Sequence, residues 1–499
     1  MKRYWLLAVF GCAVLTFAAV WLGGLNQDEG WYLYAAKLCA EGKVLYRDFF
    51  YTQAPVMPVV YSAFVRIWDA FGILGGRIFT VSIGLASILF ACATARRTAP
   101  EGRRSLAALV VFLLLGSNLY HLYYIAIPKT YALASLFLSM GFYFLSLVKA
   151  ENSRLSKTDA VFAFSAGVAM AFAAGTRISL GAVPAVAGIA LLLSVRRFGL
   201  TFLFFALGGT IALALVYGPF LADAQSRAGL FAAQAYHAAR GGFDPVFTVG
   251  SVSRLVRWYL PLFIVLGLGC DFRRSGVAGM MLWSFAAVFA VQMLAPFPYE
   301  DYQVPVTGLL AVFAAVGFVA RGPEERMSRK ALLVLGLAWA SSFGSPLLEK
   351  WMTNGQDRFW TRKKEKCELA QLREVAKIIE AEDPGGKMLL TQDLYLAVET
   401  GRKVPEGLEM GPFSMLSDSG WRKLLTSAPC EIAALSQGYT FTIAPPECGE
   451  VPFETQREYW RLLKRDYELV MEENDFGQNA TPLLILRRRK IPVPGEANR

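Results

Sequence analysis

At 499 residues, with 55% hydrophobic residues, 18% charged ones and a net charge of +11, the chain is too apolar for a soluble globular protein of average composition. Its mean hydropathy of +0.40 points to a polytopic membrane protein, with membrane lipids as its first partner. Much of the positive charge lies in short loops between apolar runs, which reads as membrane orientation and not as a nucleic-acid-binding face.

The chain opens with MKR and an apolar run, Trp5 to Leu25, long enough to span a bilayer and without a clear small-residue cleavage site, so it is expected to be an uncleaved signal-anchor. Directly beyond it stand Asp28 and Glu29. An ionised carboxylate at a membrane boundary is costly unless solvated, paired or used, so the pair is a candidate site. The plainer alternative is that Asp28 caps the following helix.

The first external loop, residues 26–75, is expected to hold two short helices, Asp28 to Glu41 closed by Gly42 and Pro58 to Phe71 closed by Gly72. On the second, Val60, Phe64, Ile67 and Phe71 share one face, while Ser62, Arg66 and Asp69 share the other. That amphipathic pattern suits a helix lying in the membrane interface.

Further spans are expected near 76–95, 105–118, 130–148, 159–178, 180–195, 200–221, 257–270, 276–295, 303–320 and 330–348, about eleven in all. Alternation places MKR, ARRTAPEGRR, VKAENSRLSK, VRRFG, DFRRSG and RGPEERMSRK on one side, which the positive-inside rule makes cytoplasmic. The N-terminus is then inside. Asp28, the loops near His121, His237 and Asp301, and the C-terminal tail lie outside.

From about residue 350 the composition returns to that of a soluble chain. A helix at Arg373–Glu380, a short strand at Lys387–Thr391 followed by a second helix, and a late strand at Leu483–Arg488 suggest a small α/β domain, 350–499, beyond a transmembrane unit, 1–349. Of the seven cysteines, Cys12, Cys39, Cys92 and Cys270 sit in or beside apolar segments and read as packing residues. Cys367, Cys430 and Cys448 lie in the tail, where Cys430 and Cys448 are compatible with either a bridge or a free pair. PGGK at Pro384–Lys387 is a turn and not a phosphate loop.

An acidic pair just after the first span, a Tyr-Arg-Asp-Phe-Phe cluster and a proline-started interfacial helix, together DEGWYLYAAKLCAEGKVLYRDFF and its sequel, resemble the GT-C glycosyltransferases. The likeness is greatest to the protein O-mannosyltransferase-like group, glycosyltransferase family 39 and its bacterial relatives, including aminoarabinose transferases. It covers roughly Met1 to Glu349; GRKVPEGLEMGPFS also looks like the tail of some bacterial members. The resemblance implies a GT-C-like membrane protein that moves a sugar from a polyprenyl-phosphate-linked donor to an envelope acceptor (lipid, glycan or protein) on the outer face of a bacterial-type plasma membrane, with inversion.

Under that resemblance Asp28 matches the motif position of the family's catalytic aspartate, the base, and Glu29 would orient the acceptor or hold a cation. The leaving phosphate needs cations on the exported side. Lys129, Arg177, Arg240 and Arg47 are the candidates, with interfacial snorkelling as the plain alternative. Where many relatives carry a lysine just before the proline that starts the second loop helix, this chain has Gln53. Asp48, Gln53, His237, Glu300, Asp301 and Tyr302 are further cavity candidates. His121 and His237, the two histidines, read as interfacial hydrogen-bonding groups. No DxD motif occurs, so no cofactor is expected to be obligatory, although a divalent cation is compatible with the site. The competing reading is a lipid or oligosaccharide transporter, which predicts inverted repeats and broken helices that the sequence does not display.

Overall fold

The computed structural model describes residues 2–149, 156–193, 200–238, 242–269, 276–320, 335–340 and 367–489, the last without 415, 428, 439, 445–448 and 479. The membrane part is helical throughout. Among the described residues six runs are long and apolar enough to cross a membrane: Lys2–Leu22, Val65–Thr98, Thr130–Leu147, Lys157–Thr176, Thr201–Ala222 and Glu300–Ala320. The count reaches eight when two bent helix pairs are each taken as one crossing. Ala182–Leu193 and Val277–Met293 are shorter apolar helices at two other expected spans. Most of the span expected at 330–348 falls outside the described residues.

The bent pairs differ from the straight spans expected there. Arg104–Gly116 turns by 72° into Leu119–Ala126, and Pro245–Trp258 turns by 80° into Leu260–Gly269. At the first break the Asn118 side chain accepts from the His121 N–H and starts a new helix, a capping event that hydropathy cannot register because both halves are apolar. The two breaks also hold each other. Asn118 Nδ2 donates to the Trp258 carbonyl at 2.8 Å, His121 Nδ1 lies 3.0 Å from the Tyr259 hydroxyl, and Tyr120 stacks on Trp258 at 5.0 Å. His121 is therefore a buried residue with a defined hydrogen-bonding partner.

The segment expected to be the first external loop holds one unbroken helix with an unexpected cap, and a second that is broken. Its opening helix runs Gln27–Ala40 and is capped by Asn26, whose side chain accepts from the Asp28 N–H, while Glu29 reaches back to the Asn26 N–H in a capping box. Asp28 is thus freed from the capping role. The interfacial segment splits into Val56–Ala63, Val65–Trp68 and a 3₁₀ turn, Asp69–Phe71. Tyr61 and Trp68 face the core while Phe64, Ile67 and Phe71 are exposed, as suits a helix half-sunk in lipid. Lys37 and Asp69, 2.9 Å apart, tie the two halves of the loop together.

The tail carries an antiparallel sheet in the order Ile432–Ser436, Thr481–Arg488, Tyr467–Phe476. Around it lie the helices Glu368–Glu382, Leu394–Thr400, Asp418–Ser427 and Phe453–Asp466. The strand expected at Lys387–Thr391 is reduced to two single bridges, Met388 to Lys403 and Leu390 to Ala433. Cys430 is buried, and Cys448 lies outside the described residues.

The tail is seated on the first loop. Gln27 N–H donates to Gln478 Oε1 at 2.9 Å, Val404 N–H to the Tyr34 hydroxyl at 3.0 Å, and Ile73 N–H to Glu399 Oε2 at 2.9 Å. Gly30 allows the closest approach: a side chain there would collide with the backbone of Leu394 and Tyr395. A glycine inside a helix costs about 1 kcal/mol relative to alanine, so this one is explained by the contact.

Candidate active site

Asp28 and Glu29 are neighbours in the first turn of one helix, and their side chains leave it in different directions. Glu29 points into the protein, where its side chain and that of Arg77 are both 0% exposed. Arg77 Nε and Nη2 lie 2.7 Å from the two Glu29 oxygens, and its remaining N–H groups reach the carbonyls of Val20, Gly23 and Gly24 at 2.8–3.0 Å. All five donors of the guanidinium are used. One Glu29 oxygen also accepts the Asn26 N–H at 2.8 Å. Glu29 is thereby committed to holding the end of the first helix, and the expected part in orienting an acceptor or binding a cation does not fit its surroundings.

Asp28 points the other way, into a cavity of about 300 Å³. Trp31 Nε1 donates to one of its oxygens at 3.0 Å, and Lys129 Nζ lies 2.9 Å from the other. Lys129 also contacts Asp301 Oδ2 at 3.2 Å, and the Tyr131 hydroxyl donates to that same oxygen at 2.8 Å. Burial opposes the charge on Lys129, but Asp28, Tyr131 and Asp301 outweigh it and hold its pKa well above the ordinary lysine value. Lys129 stands between two carboxylates and remains a cation.

Arg177 faces the same cavity from the end of the Lys157–Thr176 helix. Its guanidinium lies 4.1 Å from the Tyr302 ring centre and 5.3 Å from that of Tyr131. Among the described residues no carboxylate comes within ion-pair distance of it. A guanidinium supported by aromatic faces keeps its N–H groups available for a planar anion.

Of the residues expected from sequence, Asp28, Gln53, Lys129, Arg177, Asp301 and Tyr302 line the cavity. Arg47 instead pairs with Asp48 at 3.0 Å, outside it, and Asp48 also accepts the Val44 N–H at 2.7 Å. The Arg47 hydrogen bond, with that N–H, holds the Asp48 carboxyl below its usual range, so the two form an ordinary surface pair. Glu300 turns away to Arg254 at 2.9 Å. His237 lies in the last turn of the Ala224–Ala238 helix, but its side chain, like all of Arg240, falls outside the described residues. No group of three or more His, Cys, Asp or Glu side chains among the described residues is arranged to hold a metal ion.

The sequence reading missed Trp31, Tyr131, Phe413 and Gln478. The aromatic residues of WYLY and IPKTY were signals in plain view. The two tail residues approach Asp28 only through tertiary contact, and Phe413 belongs to the GLEMGPFS stretch.

No protein-family model matches the chain, and no curated sequence relative does. Solved structures do match. The aminoarabinose transferase ArnT from Cupriavidus metallidurans superposes with a TM-score of 0.64 at 14% identity, over 97% of this chain and 98% of its own. A second structure of that enzyme, bound to undecaprenyl phosphate, gives a TM-score of 0.62 at 14% identity over the same shares. The Archaeoglobus fulgidus oligosaccharyltransferase, in complex with Zn and sulfate, gives 0.53 at 10% identity, over 96% of this chain and 72% of its own. The chain therefore shares the overall fold of these two transferases.

Proposed function

We propose that the chain is an inverting glycosyltransferase that moves a sugar from a polyprenyl-phosphate-linked donor to an acceptor hydroxyl or amine of the cell envelope, at the outer face of a bacterial-type membrane. The observation that carries this reading is the convergence of one carboxylate, Asp28, and two cations, Lys129 and Arg177, in one cavity. Inverting transfer needs that set: a base for the acceptor proton and positive charge for the departing phosphate.

In the reaction, the acceptor oxygen or nitrogen attacks C1 of the donor sugar from the face opposite the phosphate. The new C1 bond forms as the C1–O bond to phosphate breaks, and that electron pair leaves on the polyprenyl phosphate. The acceptor proton passes to Asp28. Lys129 shifts from Asp28 toward the phosphate, which both neutralises the leaving group and uncovers the base, while Asp301 keeps hold of the lysine. Arg177 meets the other phosphate oxygens. No step calls for a metal; a divalent cation held beside Asp28 would offset charge on the leaving phosphate without changing these roles.

The bent helix pairs favour a second reading, a lipid or oligosaccharide transporter. Against it, the two breaks are bonded to each other and do not line the Asp28 cavity. One experiment separates the readings: the envelope glycolipids, glycans and glycoproteins of cells lacking the chain, complemented with wild type or with Asp28→Asn. A transferase loses the modification in both the deletion and the variant while the variant still binds undecaprenyl phosphate. Native levels of modification in the variant would sink the proposal.

A further inference from the structure

The ARRTAPEGRR segment served above only as a marker of membrane orientation, yet its arginines converge. Arg96, Arg97 and Arg104 line a groove of about 550 Å³ with Ala93 and Tyr143; among the described residues no carboxylate lines it, and Glu101, itself exposed, lies 4.0 Å from Arg104 at its edge. Arg97 Nε donates to the Ser146 carbonyl at 3.2 Å, which fixes that side chain across to the Thr130–Leu147 helix. Arg103, the neighbour that is not part of the groove, is occupied by the Val319 carbonyl. Arg104 opens its helix, where the macrodipole disfavours a cation, and its exposed ion pair with Glu101, at 4.0 Å, offsets little of that cost.

The groove sits about one membrane thickness from the active site. Arg77, which anchors the Asp28 helix, and Arg96 are 19 residues apart on the Gly72–Thr98 helix, or about 28 Å at about 1.5 Å per residue. The same helix links the arginines to an apolar groove of about 570 Å³ between it and the first helix, lined by Val9, Phe17, Ile78, Leu85, Leu89 and Phe112 among others. Ile78, Leu85, Leu89 and Arg96 lie on one helical face, since steps of seven, eleven and eighteen residues return to nearly the same angle at about 100° per residue. Leu89 is 60% exposed. The two grooves share no lining residue, but the helical face that carries Leu85 and Leu89 continues to Arg96, an order that matches an acyl chain below a phosphate.

We propose that Arg96, Arg97 and Arg104, with the Tyr143 hydroxyl, bind the headgroup phosphate of an anionic phospholipid whose acyl chain lies along the Leu85–Leu89 face. The ligand is a glycerophospholipid phosphodiester, distinct from the polyprenyl phosphate proposed for the cavity at the other end of the same helix. Guanidinium groups suit it because they engage phosphate oxygens in pairs, and basic pockets between transmembrane helices are known to hold anionic headgroups.

The test uses the full chain purified in a zwitterionic detergent and titrated with phosphatidylglycerol or with phosphatidylcholine of identical acyl chains, with bound lipid counted by native mass spectrometry. The wild type is expected to retain phosphatidylglycerol at least fivefold more tightly. The Arg96→Gln, Arg97→Gln, Arg104→Gln triple variant is expected to lose that preference, and Lys129→Gln with Arg177→Gln to keep it, which separates this site from the active-site cavity. Equal retention of the two lipids by the wild type overturns the proposal without any variant having to fold. So does an unchanged preference in the triple variant, loss of preference in the Lys129 and Arg177 variant, or full displacement of the lipid by millimolar inorganic phosphate, which would make free phosphate the ligand.

Discussion

Two adjacent carboxylates, Asp28 and Glu29, meet two cations in opposite ways. The Glu29–Arg77 pair is dry, and every guanidinium donor is matched. The Asp28–Lys129 pair is partly open, with Asp28 28% exposed, and its lysine is shared with a second carboxylate. A fully matched buried pair has no capacity left for a ligand, whereas a shared one can change partners at modest cost. The same charges therefore build a structural pin on one side of the helix and the proposed reactive site on the other.

The largest expected effect falls on turnover. Asp28→Asn removes the base and is expected to slow sugar transfer by about 10²–10⁴-fold, with stability nearly unchanged because Lys129 keeps Asp301. Glu29→Gln is expected to do the reverse in kind, lowering stability first and activity only through it. If purified Asp28→Asn unfolds as readily as Glu29→Gln, the distinction between the two carboxylates collapses.

Next comes stability. Arg77→Met leaves Glu29 buried without its cation and is expected to destabilise the protein by about 3–5 kcal/mol. Adding Glu29→Leu should recover most of that loss, because the pair's desolvation cost goes with it. Equilibrium unfolding of the two variants in detergent measures the difference. A double variant no better than Arg77→Met would mean that the bonds to the Val20, Gly23 and Gly24 carbonyls dominate.

The third comparison is between the two cavity cations. Arg177→Ala should weaken undecaprenyl phosphate binding by about 10–100-fold, the loss of charged hydrogen bonds of about 1.5–3 kcal/mol. Lys129→Ala should cost less, since Lys129 must first leave Asp28 and so contributes less net binding. The reverse order in a binding titration would make Lys129 the primary phosphate ligand and remove the exchange step from the mechanism.

The first loop was legible because its signals are local: an acidic pair, glycines at the ends of two short helices, and an amphipathic stripe. Lys129, Arg177 and Asp301 were legible as charges that have no reason to sit among apolar helices. What stayed hidden depends on direction and distance. Glu29 and Asp28 look equivalent on paper, and only the path of the chain shows that Arg77, 48 positions away, claims one of them. Asn118 breaks a helix within an apolar run, and Gln478 reaches Gln27 across 451 positions. No periodicity encodes such contacts.

A third carboxylate extends the comparison into the tail. Asp393 is 0% exposed like Glu29, but among the described residues no cation pairs with it. Its partners are the Tyr395 hydroxyl at 2.7 Å and the Ser436 hydroxyl and N–H at 2.9 and 3.2 Å. Burial pushes its pKa up to about 6, with those bonds offsetting part of the rise. A raised carboxyl pKa stabilises the folded tail fully below the unfolded value of about 3.9 and progressively less as pH rises through about 6. Thermal unfolding of the wild type should therefore show a falling contribution between about pH 4 and pH 6 that Asp393→Asn, whose amide cannot ionise, lacks. Because Tyr395 also packs against Gly30, the loss should appear as weaker seating of the tail on the Asp28 helix, read as faster proteolysis of the tail at pH 7 than at pH 5. If the wild type and Asp393→Asn share one pH profile, the Tyr395 and Ser436 bonds are enough to hold an ionised carboxylate without a cation, and the contrast with Glu29 then rests on Arg77 alone.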